Sequence, residues 1–180
     1  MSRKSVMVNR APVLTLWASV VAERLGYGRD EALSLGKALA GLNAQTKGRS
    51  LGIYKPPERA EAVPAKKKRL GEEFWVEILG RPVPAKTTER GVRAVVEDRP
   101  IEPGGVERYL EGKFGAMFEA VKDAMTDLAQ AFEPRELAVK AFFLYERFRP
   151  SIPPGVRGWG AKGELDLDLI RSLAEKAQRG

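Results

Sequence analysis

The side chains best placed by type and spacing to do chemistry in this chain are cationic. Arg3, Lys4 and Arg10 open it, Arg29, Lys47 and Arg49 follow, and Lys66-Lys67-Lys68-Arg69 closes the first third. Residues 1–69 hold 14 Lys and Arg against 5 Asp and Glu, a net +9, whereas residues 70–180 hold 17 against 19, so the overall +7 belongs to the N-terminal part. Clustered ammonium and guanidinium groups of this kind neutralise phosphates and displace their counterions.

A second grouping lies between Arg147 and Gly163, where Arg147, Arg149, Arg157 and Lys162 mix with Phe148 and Trp159 among four glycines and three prolines. Such a mixture suits phosphate contact combined with base stacking, or a strap packing Trp159 and Ile152 onto helices, and the strap is preferred. Glu164, Asp166 and Asp168 alternate, so an extended segment would present three carboxylates on one face, enough for magnesium or calcium with waters. Acidic residues opening a helix account for them more simply, with Asp166 or Asp168 as the cap. No metal and no cofactor are therefore expected. With no histidine and no cysteine, thiolate sites, disulfides and the usual general base are excluded. An enzyme built from Arg, Asp and Glu alone stays open as a third choice, behind two kinds of binding protein.

The elements that must position these groups begin with a helix pair. Leu14, Trp17, Val21 and Leu25 recur at helical intervals, Pro12 suits a first helical position, and Gly26 a C-terminal stop. A second helix follows with Asp30 as its cap and Leu35, Ala38, Leu39 and Leu42 as its apolar stripe. The Ala22-Glu-Arg-Leu-Gly26 run between them resembles the helix-turn-helix signature, which implies that Arg29, Asp30, Glu31 and Ser34 read bases. Two of those four carry the wrong charge for a phosphate-lined groove, and a plain helical hairpin within a core is the preferred account. Lys47 and Arg49 close the second helix, where dipole complementation competes with phosphate binding.

Residues 1–10 are expected to form a mobile basic arm, too polar to pack well. Residues 55–71 change to Pro, Ala, Glu and Lys, which reads as a linker between a helical domain at 1–54 and an α+β domain at 72–180. In the latter, Glu73–Leu79, Pro82–Thr88 and Gly91–Glu97 read as three antiparallel strands. Glu89 and Arg90 form a turn there, and the prolines push the middle strand to an edge. Helical spacing then runs from Val106 to Phe132 with an interruption around Gly115, and Pro134 opens a helix reaching about Phe148, so helices following the meander are expected to cover it. Leu137, Ala138, Ala141, Phe142, Leu144 and Tyr145 form its expected buried face.

The fold class expected is thus mainly α with a small antiparallel β-meander. No apolar run approaches a membrane span and no secretory segment opens the chain, so a cytoplasmic protein is expected. The leading functional expectation is a non-enzymatic, nucleic-acid-associated protein. Its phosphate contacts are Arg3, Lys4, Arg10, Arg29, Lys47, Arg49, Lys66, Lys67, Lys68 and Arg69, with Arg157, Trp159 and Lys162 added from the loop. DNA is the expected partner ahead of RNA. The alternative is a protein–protein interaction or homodimerisation scaffold whose charge serves solubility alone.

Overall fold

The structure, a computed structural model, describes residues 5–48, 70–152 and 162–179, with side chains through residue 42 in the first stretch. Of the expected linker only Leu70 and Gly71 are described, and Arg3 and Lys4 lie outside the described residues. Strand β1 (Ser5–Asn9) leads into helix α1 (Arg10–Leu25), and α2 (Arg29–Gly48) follows. A meander comes next, of β2 (Glu73–Ile78), β3 (Arg81–Thr88), β4 (Gly91–Val96) and the two-residue β5 (Arg99–Pro100). Helices α3 (Pro103–Phe114), α4 (Phe118–Gln130) and α5 (Pro134–Phe148), strand β6 (Lys162–Asp166) and helix α6 (Leu167–Arg179) complete the order. The fold is α+β, mainly helical, with two small antiparallel sheets. Among the described residues no helix is long and apolar enough to cross a membrane.

Helix α1 is not amphipathic but central. Every residue from Pro12 to Ala22 is buried, as the charge-free run between Arg10 and Glu23 requires once helices surround it. Its polar groups are satisfied locally or across the core. Thr15 and Ser19 donate to the carbonyls four residues back, at 2.9 Å each, and the Trp17 indole N–H donates to the Ala141 carbonyl of α5 at 2.9 Å. Gly26, at φ 116°, ends the helix: its N–H reaches Glu23 O while that of Tyr27 reaches Ala22 O, a paired closure that only a left-handed residue allows.

Helices α1 and α2 pack on each other more extensively than any other pair of elements. Gly36 permits this. A Cβ there would stand 2.4 Å from Ser19 Oγ and 2.5 Å from Thr15 O, so the helices meet backbone to backbone. The second helix is capped not by Asp30 but by Glu31, whose Oε1 accepts from the Gly28 N–H at 2.8 Å, half of a capping box.

The meander forms as its alternation demands, with β2, β3 and β4 in sequence, and β5 adds a short fourth strand that the pattern does not reveal. Contrary to the expected edge position, β3 lies inside the sheet, but in the strand registers only Ala85 and Lys86 are paired on both sides. Ala85–Thr88 meet β4, whereas Pro82 and Pro84 face β2 alone because they have no N–H for a second ladder. The cover is also different. Helix α2, rather than the helices that follow, packs on the sheet. Its Glu31 Oε2 accepts the Val92 N–H at 2.7 Å and its Ser34 Oγ the Ala94 N–H at 3.0 Å, so the outer edge of β4 is closed by side chains.

The expected mobile arm is a strand over Ser5–Asn9. Strand β1 pairs antiparallel with β6 from Ser5↔Asp166 to Asn9↔Lys162, and Val8 is buried, while Met7 faces outward and Ser5 and Asn9 are half-buried. Ser151 bridges to Glu164 beside it, and Gly163 is needed there, since a Cβ would lie 2.5 Å from Ser151 O. The alternating carboxylates do not share one extended face. Strand ends at Asp166, whose Oδ1 accepts the Asp168 and Leu169 N–H groups and so caps α6.

The 3₁₀ turn Gly115–Met117 interrupts the helical stretch at the glycine, and Pro103 and Pro134 sit at the starts of their helices. Helix α5 buries Leu137, Ala141, Leu144, Tyr145 and Phe148, while Ala138 and Phe142 are only half-buried. Arg24, in the last turn of α1, donates twice to the Phe132 carbonyl at 3.2 and 2.9 Å, tying α1 to the end of α4. The buried apolar residues form one cluster from Val8 to Ala174, so α1 and α2 share their core with α3, α4, α5 and α6.

Candidate anion-binding surface

Two groupings of cations stand on the described surface, each around a tyrosine. The first lies where β1 gives way to α1, beside the end of α5. Arg10 opens α1 and donates through Nε to the Pro150 carbonyl at 3.0 Å, which draws the guanidinium over the C-terminal end of α5. Arg149 ends that helix, its N–H bonded to Tyr145 O at 2.7 Å. The charge of Arg149 acts on Arg10, and both guanidiniums act on the buried Tyr145 phenol. Burial, then the charge of Arg149, lowers the Arg10 pKa, while burial pushes Tyr145 up to about 12 against the opposing pull of Arg10 and Arg149. Among the described residues neither arginine is ion-paired to a carboxylate. Register places exposed Lys162 opposite Asn9, next to Arg10, so the ribbon end carries a third cation.

The second grouping lies between α2 and α3. Lys37 Nζ sits 3.9 Å from the Tyr109 ring centroid and Lys113 Nζ 6.0 Å from the same centroid, so two ammoniums share one aromatic ring. Burial and then Lys113 lower the Lys37 pKa, and burial raises that of Tyr109. Here too neither lysine is ion-paired to a carboxylate among the described residues.

Of the residues singled out by sequence, Arg10 and Lys162 are brought together from opposite ends of the chain. Arg29 is not part of this surface: it is ion-paired to Glu107 of α3. Glu31 and Ser34 face β4 and Ser34 is fully buried, so the expected base-reading side of α2 is covered by the sheet. Phe148 is buried against Trp17, with ring centroids 5.2 Å apart, and is not available for stacking. Lys47 lies in α2, but its side chain is outside the described residues, as are Arg49, Lys66, Lys67, Lys68, Arg69, Arg157 and Trp159. Lys37 and Lys113 escaped the sequence reading. They lie on different helices with 76 residues between them, so only the packing of α3 on α2 makes them neighbours.

No protein-family model, curated protein or solved structure matches the chain.

Proposed function

We propose that the protein is a non-enzymatic binder of nucleic-acid phosphate backbone, acting in the cytoplasm, with DNA its partner ahead of RNA. The observation that carries the reading is the Arg10–Arg149 pair beside Tyr145, with no carboxylate ion-paired to either arginine among the described residues. A phosphate set between neighbouring guanidiniums gains charge-assisted hydrogen bonds from both. Lys162 extends the cationic track along the ribbon, and the Lys37–Lys113 pair offers a second contact for the same polyanion.

The test is a salt titration of the full chain with fluorescent duplex DNA and with RNA of the same sequence, followed by anisotropy. Binding should weaken steeply with salt, and the DNA curve should lie at the higher affinity. Arg149→Gln and Lys113→Gln should each reduce the salt slope by about one, the amount expected for one lost phosphate contact. Lys140→Gln, which removes an exposed helical ion pair with Glu136, should leave the slope unchanged. Absence of binding at low salt, or slopes unaffected by the first two changes, overturns the reading.

A further inference from the structure

Helix α5 turns an apolar pair outward. Of the six large apolar side chains exposed among the described residues, only Val139 and Phe143 share an element, and at 84% and 57% exposure they stand one helical turn apart. Single exposed apolar side chains are ordinary, whereas neighbours on one face form the kind of patch that contacts another molecule. Arg135 and Glu136 lie one turn before Val139, and Glu146 and Arg147 one turn after Phe143, all four exposed. At about 100° per residue, Arg135, Val139 and Glu146 fall along one side of this face and Glu136, Phe143 and Arg147 along the other. Each side thus carries a cation at one end and an anion at the other, in opposite order. Among the described residues Arg135, Glu146 and Arg147 enter no ion pair, and Glu136 pairs only along the helix, with Lys140. The Arg147 guanidinium lies 5.8 Å from the Phe143 ring centroid, at the border of the apolar pair.

We propose that this face of α5 docks antiparallel on α5 of a second copy of the chain, about a two-fold axis level with Ala141. That operation sets Val139 of each copy against Phe143 of the other, Arg135 against Glu146, and Glu136 against Arg147. Four complementary charge pairs then surround two apolar contacts, and the pattern is self-complementary as a two-fold interface requires. The antiparallel sense places a small side chain beside a large one and opposes the helix dipoles, whereas a parallel pair would stack ring on ring and align the dipoles. Exposed charges of this kind fix register and partner more than they add affinity. A single helix pair buries less than the roughly 1,200 Å² of stable complexes, so the dimer forms at about 10 μM to 1 mM. This inference does not depend on the nucleic-acid reading.

The experiment is sedimentation of the full chain, free of nucleic acid, over a concentration series. The parent should pass from monomer to dimer. Val139→Glu and Phe143→Gln, both at exposed positions, should each weaken association about tenfold or more while leaving the dilute protein's melting temperature unchanged. Arg147→Glu alone should weaken it by setting two carboxylates against each other at both ends of the interface. Adding Glu136→Arg to that variant exchanges the charges and should restore association. In a parallel pair, where Glu136 would face Arg135 and Arg147 would face Glu146, the same exchange would create four repulsive contacts. A chain still monomeric at about 1 mM, a dimer indifferent to Val139→Glu and Phe143→Gln, or an exchange variant weaker than the single reversal would each overturn the proposal.

Discussion

Ser34 on α2 accepts the Ala94 N–H of β4 at 3.0 Å, a buried hydrogen bond that spans 60 residues and joins the helical part of the chain to its sheet. Ser34 Oγ also donates to the Glu31 carbonyl at 2.8 Å, so the hydroxyl is oriented to present a lone pair to the strand. Removing it leaves a buried donor without a partner. Ser34→Ala should therefore destabilise by about 1–3 kcal/mol in urea unfolding. A loss below about 0.5 kcal/mol, the size of a surface change, would mean that water or a shifted strand replaces the bond.

Gly36 and Gly41, both within α2, should respond oppositely to alanine. A methyl at Gly36 would collide with Ser19 Oγ and the Thr15 carbonyl, and backbone cannot yield cheaply, so overpacking of about 1–3 kcal/mol should outweigh the gain in helix propensity. At Gly41 nothing lies within 4 Å of the added carbon. Gly41→Ala should gain up to about 1 kcal/mol from propensity alone. Paired thermal melts of the two variants check the helix crossing, and equal shifts would refute it.

How much was legible follows from which interactions are local. The meander, the Gly26 stop, the Gly115 break and the Pro134 helix start were readable because each depends on residues within one turn or hairpin, whereas α1 starts at Arg10, two residues before Pro12. The position of β3 was not, since the prolines affect only the half of the strand that loses a partner. Strand β1 was hidden because its partner Lys162–Asp166 comes more than 150 residues later. The site divides in the same way. Arg10 and Lys162 are conspicuous as charges, but their adjacency depends on that long-range ribbon, and the Lys37–Tyr109–Lys113 stack on one helix interface. Arg29 looked available until Glu107 arrived from α3.

Trp17 should be the costliest aromatic to lose. It is fully buried, donates to Ala141 O and meets Phe148 edge-on at an interplanar angle of 89°. Trp17→Ala should cost about 3–5 kcal/mol, from lost transfer energy and the cavity left behind. Half-buried Phe142 should lose less, nearer the roughly 1 kcal/mol of an ordinary substitution. Equal losses in guanidinium unfolding would show that α5 presents a different face to α1.

Tyr145 should make stability fall at alkaline pH. Burial raises its pKa from 10.0 to about 12, and the positive charges of Arg10 and Arg149 offset only part of that rise. The folded chain therefore holds the phenolic proton where the unfolded chain releases it. The contribution is complete below about pH 10 and is lost as pH rises to about 12, because in that window the native state binds more protons than the unfolded state. Two units correspond to about 2–3 kcal/mol. Tyr145→Phe has no proton to lose, so the difference in unfolding free energy between parent and variant should shrink by that amount from pH 9 to 12 in urea titrations. The parent should also show a phenolate absorbance component appearing late, near pH 12, that the variant lacks. Parallel stability profiles for the two proteins would show that the phenol reaches solvent, and with it that Arg10 and Arg149 are not gathered over a buried ring.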